Sequence, residues 1–248
     1  MARVARVLGV EELIKRYEEK VANVGRYMMY TNICCNAVKI DAFMYFLVKF
    51  FVKDRYSSIV DPTCGPANHQ FQKIIPILEH WGIEYKPCDL REDNWACRNG
   101  YRDCVCDVFR PETLPRGEVF VYDPPFVPTA SKEMRHNDYS LDVDRSVSDI
   151  KRFFSAKVLE SFESRGARMI IAKSSDFYYP PHSDNFYSFH RDILEVLDGW
   201  RIKAIIIYRY FSGSTLLSGK RLGESLSKKG IRRALATHSY YTIMERLE

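Results

Sequence analysis

Ser57-Ser58-Ile59-Val60-Asp61-Pro62-Thr63-Cys64-Gly65-Pro66-Ala67 is the stretch from which the rest of the chain can be read. Its apolar part is short and ends on an acid, a proline and a glycine-bearing turn, which is how a buried strand reads when it leaves a sheet. Ala67–Trp81 follows with apolar residues at helical spacing, and Pro76 is expected to bend that helix. The same order then recurs. Ile83–Cys88 reads as a second strand ending at Asp89, Asp103–Phe109 as a third, and Gly117–Tyr122 as a fourth ending at Asp123. Ser146–Ser164 reads as a helix with Ile150, Phe153, Phe154, Val158, Leu159 and Phe162 on its buried side and Gly166 as its stop. Ala167–Lys173, Ile202–Tyr208 and Tyr240–Met244 read as strands five to seven, with a helix over Phe186–Leu197. Upstream, Glu11–Val24 and Val38–Val52 have the periodicity of amphipathic helices.

Strands alternating with helices predict a mostly parallel, doubly wound sheet covered on both faces. The last link, Phe211–His238, is rich in Gly, Ser, Lys and Arg and is not a clean crossover helix, so strand seven is expected to run antiparallel at one edge. A chain of 248 residues suits one sizeable α/β domain. The expected division is a single domain over 1–248, with a helical extension at 1–29 and a basic loop at 212–237.

Hydrophobic residues at 46% and charged residues at 28% are those of a soluble globular domain. No apolar run reaches the roughly 20 residues of a membrane helix, and the N-terminus lacks a signal-peptide pattern, so a cytoplasmic, intracellular location with no membrane partner is expected. A net charge of +5 permits a nucleic-acid partner without requiring one. The seven cysteines include no CxxC pair, and no histidines sit at ligand spacing, so no metal is expected. The cysteines read as small core thiols; a disulfide within Cys97–Cys106 is the alternative, in a hyperthermophile.

In doubly wound sheets the ligand lies outside the carboxyl ends of the strands. Asp61, Asp89, Asp107 and Asp123 each end an expected strand, so four carboxylates fall where a ligand would sit. Asp61-Pro62-Thr63-Cys64-Gly65 offers a turn that lets a ligand approach backbone closely; a plain turn is the bland alternative. Asp89 suits hydrogen bonds to ribose hydroxyls, or an N-cap for the segment after it. Asp107 could accept from an adenine amine, or be a solvated strand end.

Asp123-Pro124-Pro125-Phe126 directly follows strand four. Two prolines donate no backbone hydrogen bond and hold the chain extended, leaving acceptors in their neighbourhood. The Asp123 carboxylate and the Pro124 carbonyl could take both N–H groups of an exocyclic base amine and free its lone pair, while Phe126 offers a stacking face worth roughly 1–3 kcal/mol. A proline-stiffened turn is the bland alternative.

The order Asp61-Pro62-x-x-Gly65, Asp89, Asp107, Asp123-Pro124-Pro125-Phe126 resembles that of the amino-methyltransferases acting on adenine N6 or cytosine N4. The D-P-P-F motif agrees in full. The family's cofactor motif, D-P-F-x-G-x-G, meets Thr63 in place of Phe and Ala67 in place of the second Gly. Tyr30-Thr31-Asn32 resembles the methionine-side motif, and His238-Ser239-Tyr240-Tyr241 the closing strand, so the likeness spans about Tyr30 to Arg246. It implies a single-domain, Rossmann-like class I methyltransferase fold with a mostly parallel seven-stranded sheet. It also implies S-adenosyl-L-methionine as cofactor, held by Tyr30, Asn32, Asp61, Thr63, Gly65, Asp89 and Asp107, with Asp123, Pro124, Pro125 and Phe126 catalytic. The expected activity is methylation of an exocyclic base amine in DNA, adenine N6 before cytosine N4, in a prokaryotic or viral setting.

Lys220, Arg221, Lys228, Lys229, Arg232 and Arg233, among Gly and Ser, read as a phosphate-contacting loop or a solvated basic one. Val127–Arg145, with His136, Asn137, Asp138 and Tyr139, reads as a loop over a flipped base or an ordinary surface loop. Tyr179-Pro180-Pro181-His182 lacks an acid before its prolines and reads as a loop. His69, His80 and His190 read as helix-surface or boundary residues. No stretch is left over for a target-recognition domain, so specificity is expected to be short or supplied by a partner, and a homodimer is open. Two alternatives stand: an RNA base methyltransferase, including guanine N2 or adenine N6 in tRNA or rRNA, and a non-catalytic nucleic-acid-binding subunit with this fold.

Overall fold

The computed structural model describes residues 9–31, 40–68, 70–124, 152–174, 176–178, 186–188, 198–209 and 238–247. Among these, α1 spans Val10–Thr31, α2 Ile40–Leu47 with a π-helical turn over Val48–Val52, α3 Ile75–His80, α4 Trp95–Arg98 and α5 Ala156–Ser164. The strands are β1 Ser58–Asp61, β2 Glu84–Pro87, β3 Val119–Tyr122, β4 Met169–Ser174, β5 Asp176–Tyr178, β6 Phe186–Ser188, β7 Trp200–Arg209 and β8 His238–Arg246. Six of them form one sheet in the order β2-β1-β3-β4-β8-β7, and β5 pairs with β6 separately. β1 to β4 are parallel neighbours, whereas β8 runs antiparallel between β4 and β7. The antiparallel strand therefore lies one place in from the edge, in a Rossmann-like sheet.

Period-two alternation decides what each strand buries. Ile59, Val119, Val121, Met169 and Ile171 face a core shared with Tyr17 and Val21 of α1, all of α2 beyond Asp41, and Ile77 and Leu78 of α3. Val60, Phe120, Tyr122, Ile170 and Ala172 face the other way, onto Val158, Leu159 and Phe162 of α5. The Phe120 and Phe162 rings stack at 4.7 Å, and burying one such ring contributes about 1.5–3 kcal/mol. Both faces are covered, which is why all four residues of β1 are buried and β3 reads as an unbroken apolar run. Gly166 ends α5 as expected: at φ +97° it closes the helix with bonds from its own N–H to Glu163 and from Ala167 N–H to Phe162.

Several expectations are corrected. The helix expected from Ala67 starts only at Ile75, and Pro76 lies in its first turn rather than bending its middle. There a missing N–H costs nothing. Asn68, at φ +42°, breaks the expected helix near its start, and 70–74 are turns. The third strand is reduced to a parallel bridge, Asp89 to Val105, on the outer side of β2. Asp103 turns left-handed at φ +51° and the chain reverses between Asp107 and Arg110, too tight a path for a ladder. The large sheet thus has six hydrogen-bonded strands among the described residues instead of seven. Cys88–Cys106 and Cys97–Cys104 are disulfides: the first ties this short segment to the end of β2 and the second ties it to α4, the latter inside the Cys97–Cys106 span left open for a bridge, so these four cysteines are not core thiols; Cys64 is a buried free thiol. Phe186–Ser188, expected as helix, pairs with β5 because it is the return strand of a hairpin; 189–197 lie outside the described residues. Ser146–Lys151 also lie outside them; Arg152–Phe153 are helical, but the expected helix is interrupted at Phe154–Ser155, where Ser155 is extended at ψ 158°, and α5 is the part after the break. No described helix is long and apolar enough to cross a membrane.

Candidate active site at the carboxyl ends of the parallel strands

The turn after β1 is built by backbone pairing to its neighbour strand. Cys88 N–H donates to the Asp61 carbonyl at 2.8 Å and Cys64 N–H to the Cys88 carbonyl at 3.1 Å. Gly65 takes φ +66°, a conformation other residues resist, and its N–H donates to Asp89 Oδ2 at 2.9 Å. Arg91 N–H reaches Asp89 Oδ1 at 3.4 Å. Asp89 is thus held by backbone donors from two turns, and each oxygen keeps acceptor capacity. It does not cap α4; Asn94 does, accepting from Cys97 N–H at 2.9 Å.

Asp61 lies beneath this turn, only 4% exposed. Its Oδ2 accepts from Tyr85 Oη at 2.8 Å and its Oδ1 from Thr63 N–H at 3.3 Å. Burial pushes its carboxyl up to about 7; the Tyr85 and Thr63 bonds oppose the rise, and the nearby Asp123 and Asp89 charges add to it. Burial also raises Asp89, against the Gly65 and Arg91 amides that favour its charged form. Asn68 Oδ1 accepts from Phe71 N–H at 3.2 Å and lies 3.2 Å from Tyr85 Oη, whose single proton is directed to Asp61, while its Nδ2 is buried without a partner.

Asp123 leaves β3 beside the same turn. Its N–H donates to Thr63 Oγ1 at 2.9 Å, so the residue standing where the resembled family has Phe ties the two turns together. Its Oδ2 accepts from Gln70 Nε2 at 2.5 Å and from Lys173 Nζ, at the end of β4, at 2.7 Å. Gln70 Oε1 is buried beside it with no hydrogen-bond partner.

The structure therefore brings Asp61, Thr63, Gly65, Asp89 and Asp123 together. Asp107 lies on the short segment beyond β2, its Oδ1 accepting from Phe109 N–H at 2.9 Å in a local turn. Pro124 is buried at the start of the proline turn. Pro125, Phe126, Asn32, the 127–145 loop, His69, His190, 179–182 and the six basic residues from Lys220 to Arg233 lie outside the described residues, as does the side chain of Tyr30, whose backbone is in α1. His80 ends α3, exposed. No His, Cys, Asp and Glu cluster suited to a metal occurs among the described residues. Sequence reasoning missed Lys173, Gln70, Asn68 and Tyr85. Lys173 carried a usable signal, a lone charge at the carboxyl end of an otherwise apolar strand.

No family model matches the sequence, and no curated protein does. Among solved structures the chain is similar to TehB from Haemophilus influenzae, with 11% identity, a TM-score of 0.46, and 91% of this chain and 67% of that one covered. It is similar to a proposed RNA methyltransferase from Pyrococcus horikoshii at 8% identity and a TM-score of 0.45, with 84% of each chain covered. A proposed class I S-adenosylmethionine-dependent methyltransferase from Listeria monocytogenes is 16% identical, with a TM-score of 0.44, and 97% of this chain and 69% of that one covered. At such values these likenesses carry no argument about function, and the fold rests on the sheet order itself.

Proposed function

We propose that this chain is an S-adenosylmethionine-dependent methyltransferase acting on an exocyclic amine of a nucleic-acid base, adenine N6 of DNA first. The observation that carries it is the joining of the two turns: Asp123 N–H bonds to Thr63 Oγ1, while Thr63 N–H bonds to Asp61 and Gly65 N–H to Asp89. A cofactor cradle and an amine acceptor are thus held a residue apart, at the sheet end where doubly wound folds bind ligands.

The residues fit the cofactor. S-adenosylmethionine carries a sulfonium and an ammonium, and supplies an electrophilic methyl when bound. Asp61, Asp89 and Asp123 gather three carboxyl groups at one place, and burial raises those of Asp61 and Asp89. Asp89 has acceptor capacity left for ribose hydroxyls, and the unpartnered Asn68 Nδ2 is a buried donor available to a carboxylate. In this reading Asp123 Oδ1 and the Pro124 carbonyl accept the two N–H groups of the base amine. Their hold strengthens as positive charge develops on the attacking nitrogen, the form of stabilisation that speeds a reaction. A duplex target would be flipped out at a cost of a few kcal/mol, and Lys220, Arg221, Lys228, Lys229, Arg232 and Arg233 would hold backbone phosphates. The whole chain would act as one domain, alone, as a homodimer or with a specificity partner.

The test is incubation with labelled cofactor and, separately, DNA, tRNA and rRNA, followed by nucleoside mass spectrometry. N6-methyladenine in DNA is expected. N4-methylcytosine would overturn only the base, and label in RNA alone only the choice of polymer. No transfer, with no cofactor copurifying, would favour the non-catalytic binding subunit.

A further inference from the structure

Asp123 receives two donors on the same oxygen. Lys173 Nζ and Gln70 Nε2 both bond to Oδ2, from the end of β4 and from the turn after β1. The pair is sheltered, with side-chain exposures of 15% for Lys173 and 18% for Asp123. At 2.7 Å the lysine contact is a charge-assisted hydrogen bond of ordinary length, roughly twice as strong as a neutral one. The Asp123 backbone is pinned separately, by its N–H to Thr63 Oγ1. Three contacts from two elements thus fix both the position and the rotation of one carboxylate.

A carboxylate free to rotate offers either oxygen to an incoming amine and must be frozen when the amine arrives. One whose Oδ2 is committed presents Oδ1 only. We propose that Lys173 is a positioning residue which, with Gln70, clamps Asp123 Oδ2 and leaves Oδ1 as the single carboxylate acceptor for the substrate amine. The inference rests on the methyltransferase reading and deepens it. Lys173 also offsets the charge of Asp123, one of the three clustered carboxyl groups.

The test uses the full chain and the Lys173→Met, Lys173→Arg and Lys173→Ala variants. Lys173→Met should lower kcat about tenfold to a hundredfold, the scale of a misplaced catalytic group. KM for the nucleic acid and Kd for S-adenosylmethionine should stay within about twofold, since the clamp acts on neither binding event. Lys173→Arg should keep most of kcat, and methylammonium should restore part of it to Lys173→Ala. An unchanged kcat in Lys173→Met overturns the proposal. So does a loss of kcat that neither arginine nor methylammonium repairs, which would mark a merely structural role. A double-mutant cycle of Lys173→Met and Asp123→Asn, read by urea unfolding, reports the pair without any activity. Non-additive effects are expected, and additive ones overturn the clamp. An inactive wild type with the coupling intact would overturn the methyltransferase reading and with it the positioning role, leaving a structural ion pair.

Discussion

At the amino end of the parallel strands Glu118 and Glu245 sit among donors, while at the carboxyl end Asp61 and Asp89 sit near other acids. Glu118 accepts from Ser57 N–H at 2.7 Å and its hydroxyl at 2.8 Å, and pairs with Arg168 at 3.2 Å; the Ser57 amide above all holds its carboxyl below the usual range. Glu245 meets Lys203 and Arg201, at 2.5 Å and 2.8 Å, and is lowered chiefly by the Lys203 bond. Across the sheet, burial raises Asp61 to about 7 and raises Asp89 as well. The same strands thus end in charges that are satisfied on one side and held against their own ionisation on the other. Groups shifted by burial and like charge, gathered at a ligand-binding edge, are what an active site assembles. Acids paired with cations and backbone donors ask for no such explanation.

The contrast breaks most visibly at Asp123. Asp123→Ala should lower methyl transfer by at least about a hundredfold through kcat, with cofactor affinity nearly unchanged, because the lost acceptor matters mainly in the transition state. Kinetics beside titration calorimetry decide it; normal turnover in a folded variant would remove the mechanism.

Asp61 tests the electrostatic half. Its folded value near 7 exceeds the unfolded value near 4, so between those pH values the unfolded chain ionises while the folded one keeps its proton. Stability linked to this group is therefore full below about pH 4 and lost as pH rises toward 7, by about 4 kcal/mol in all. Urea unfolding across this range should show wild type losing ground to Asp61→Asn as pH rises. Parallel curves would mean that the two ends of the sheet treat acids alike.

Asp89→Ala should weaken S-adenosylmethionine binding by about 1.5–3 kcal/mol, the worth of charged hydrogen bonds to a ribose. Equal affinity in calorimetry would reduce Asp89 to a brace for Gly65. At the opposite end, Glu118→Ala should change stability by less than about 1 kcal/mol, since its ion pair is partly exposed, and should leave turnover alone. A large loss of activity from that variant would erase the distinction between the ends.

Short-range physics explains what could be read without coordinates. Ile59–Val60 and Val119–Tyr122 announce strands because both faces of a parallel sheet are buried, and Asp61, Asp89 and Asp123 announce strand ends because a charge cannot continue into that core. The acceptor role open to Asp123 followed from the prolines after it, and Gly166 from the helix it stops. These inferences need only neighbours along the chain.

Tertiary structure decided the rest, because it depends on residues distant in sequence. Lys173 and Gln70 reach Asp123 across 50 and 53 positions, and no local pattern links them. The raised carboxyl of Asp61 follows from burial under Tyr85 and from two acids brought near by strand pairing. The segment after Asp103 has a strand's composition, yet its left-handed Asp103, its tight reversal and the Cys88–Cys106 and Cys97–Cys104 disulfides confine its pairing with the chain beyond β2 to a single bridge, Val105 to Asp89. Sequence alone determined which residues would stand at the carboxyl edge of the sheet. Which oxygen of Asp123 is engaged, and by what, was decided only when β1, β3 and β4 packed side by side.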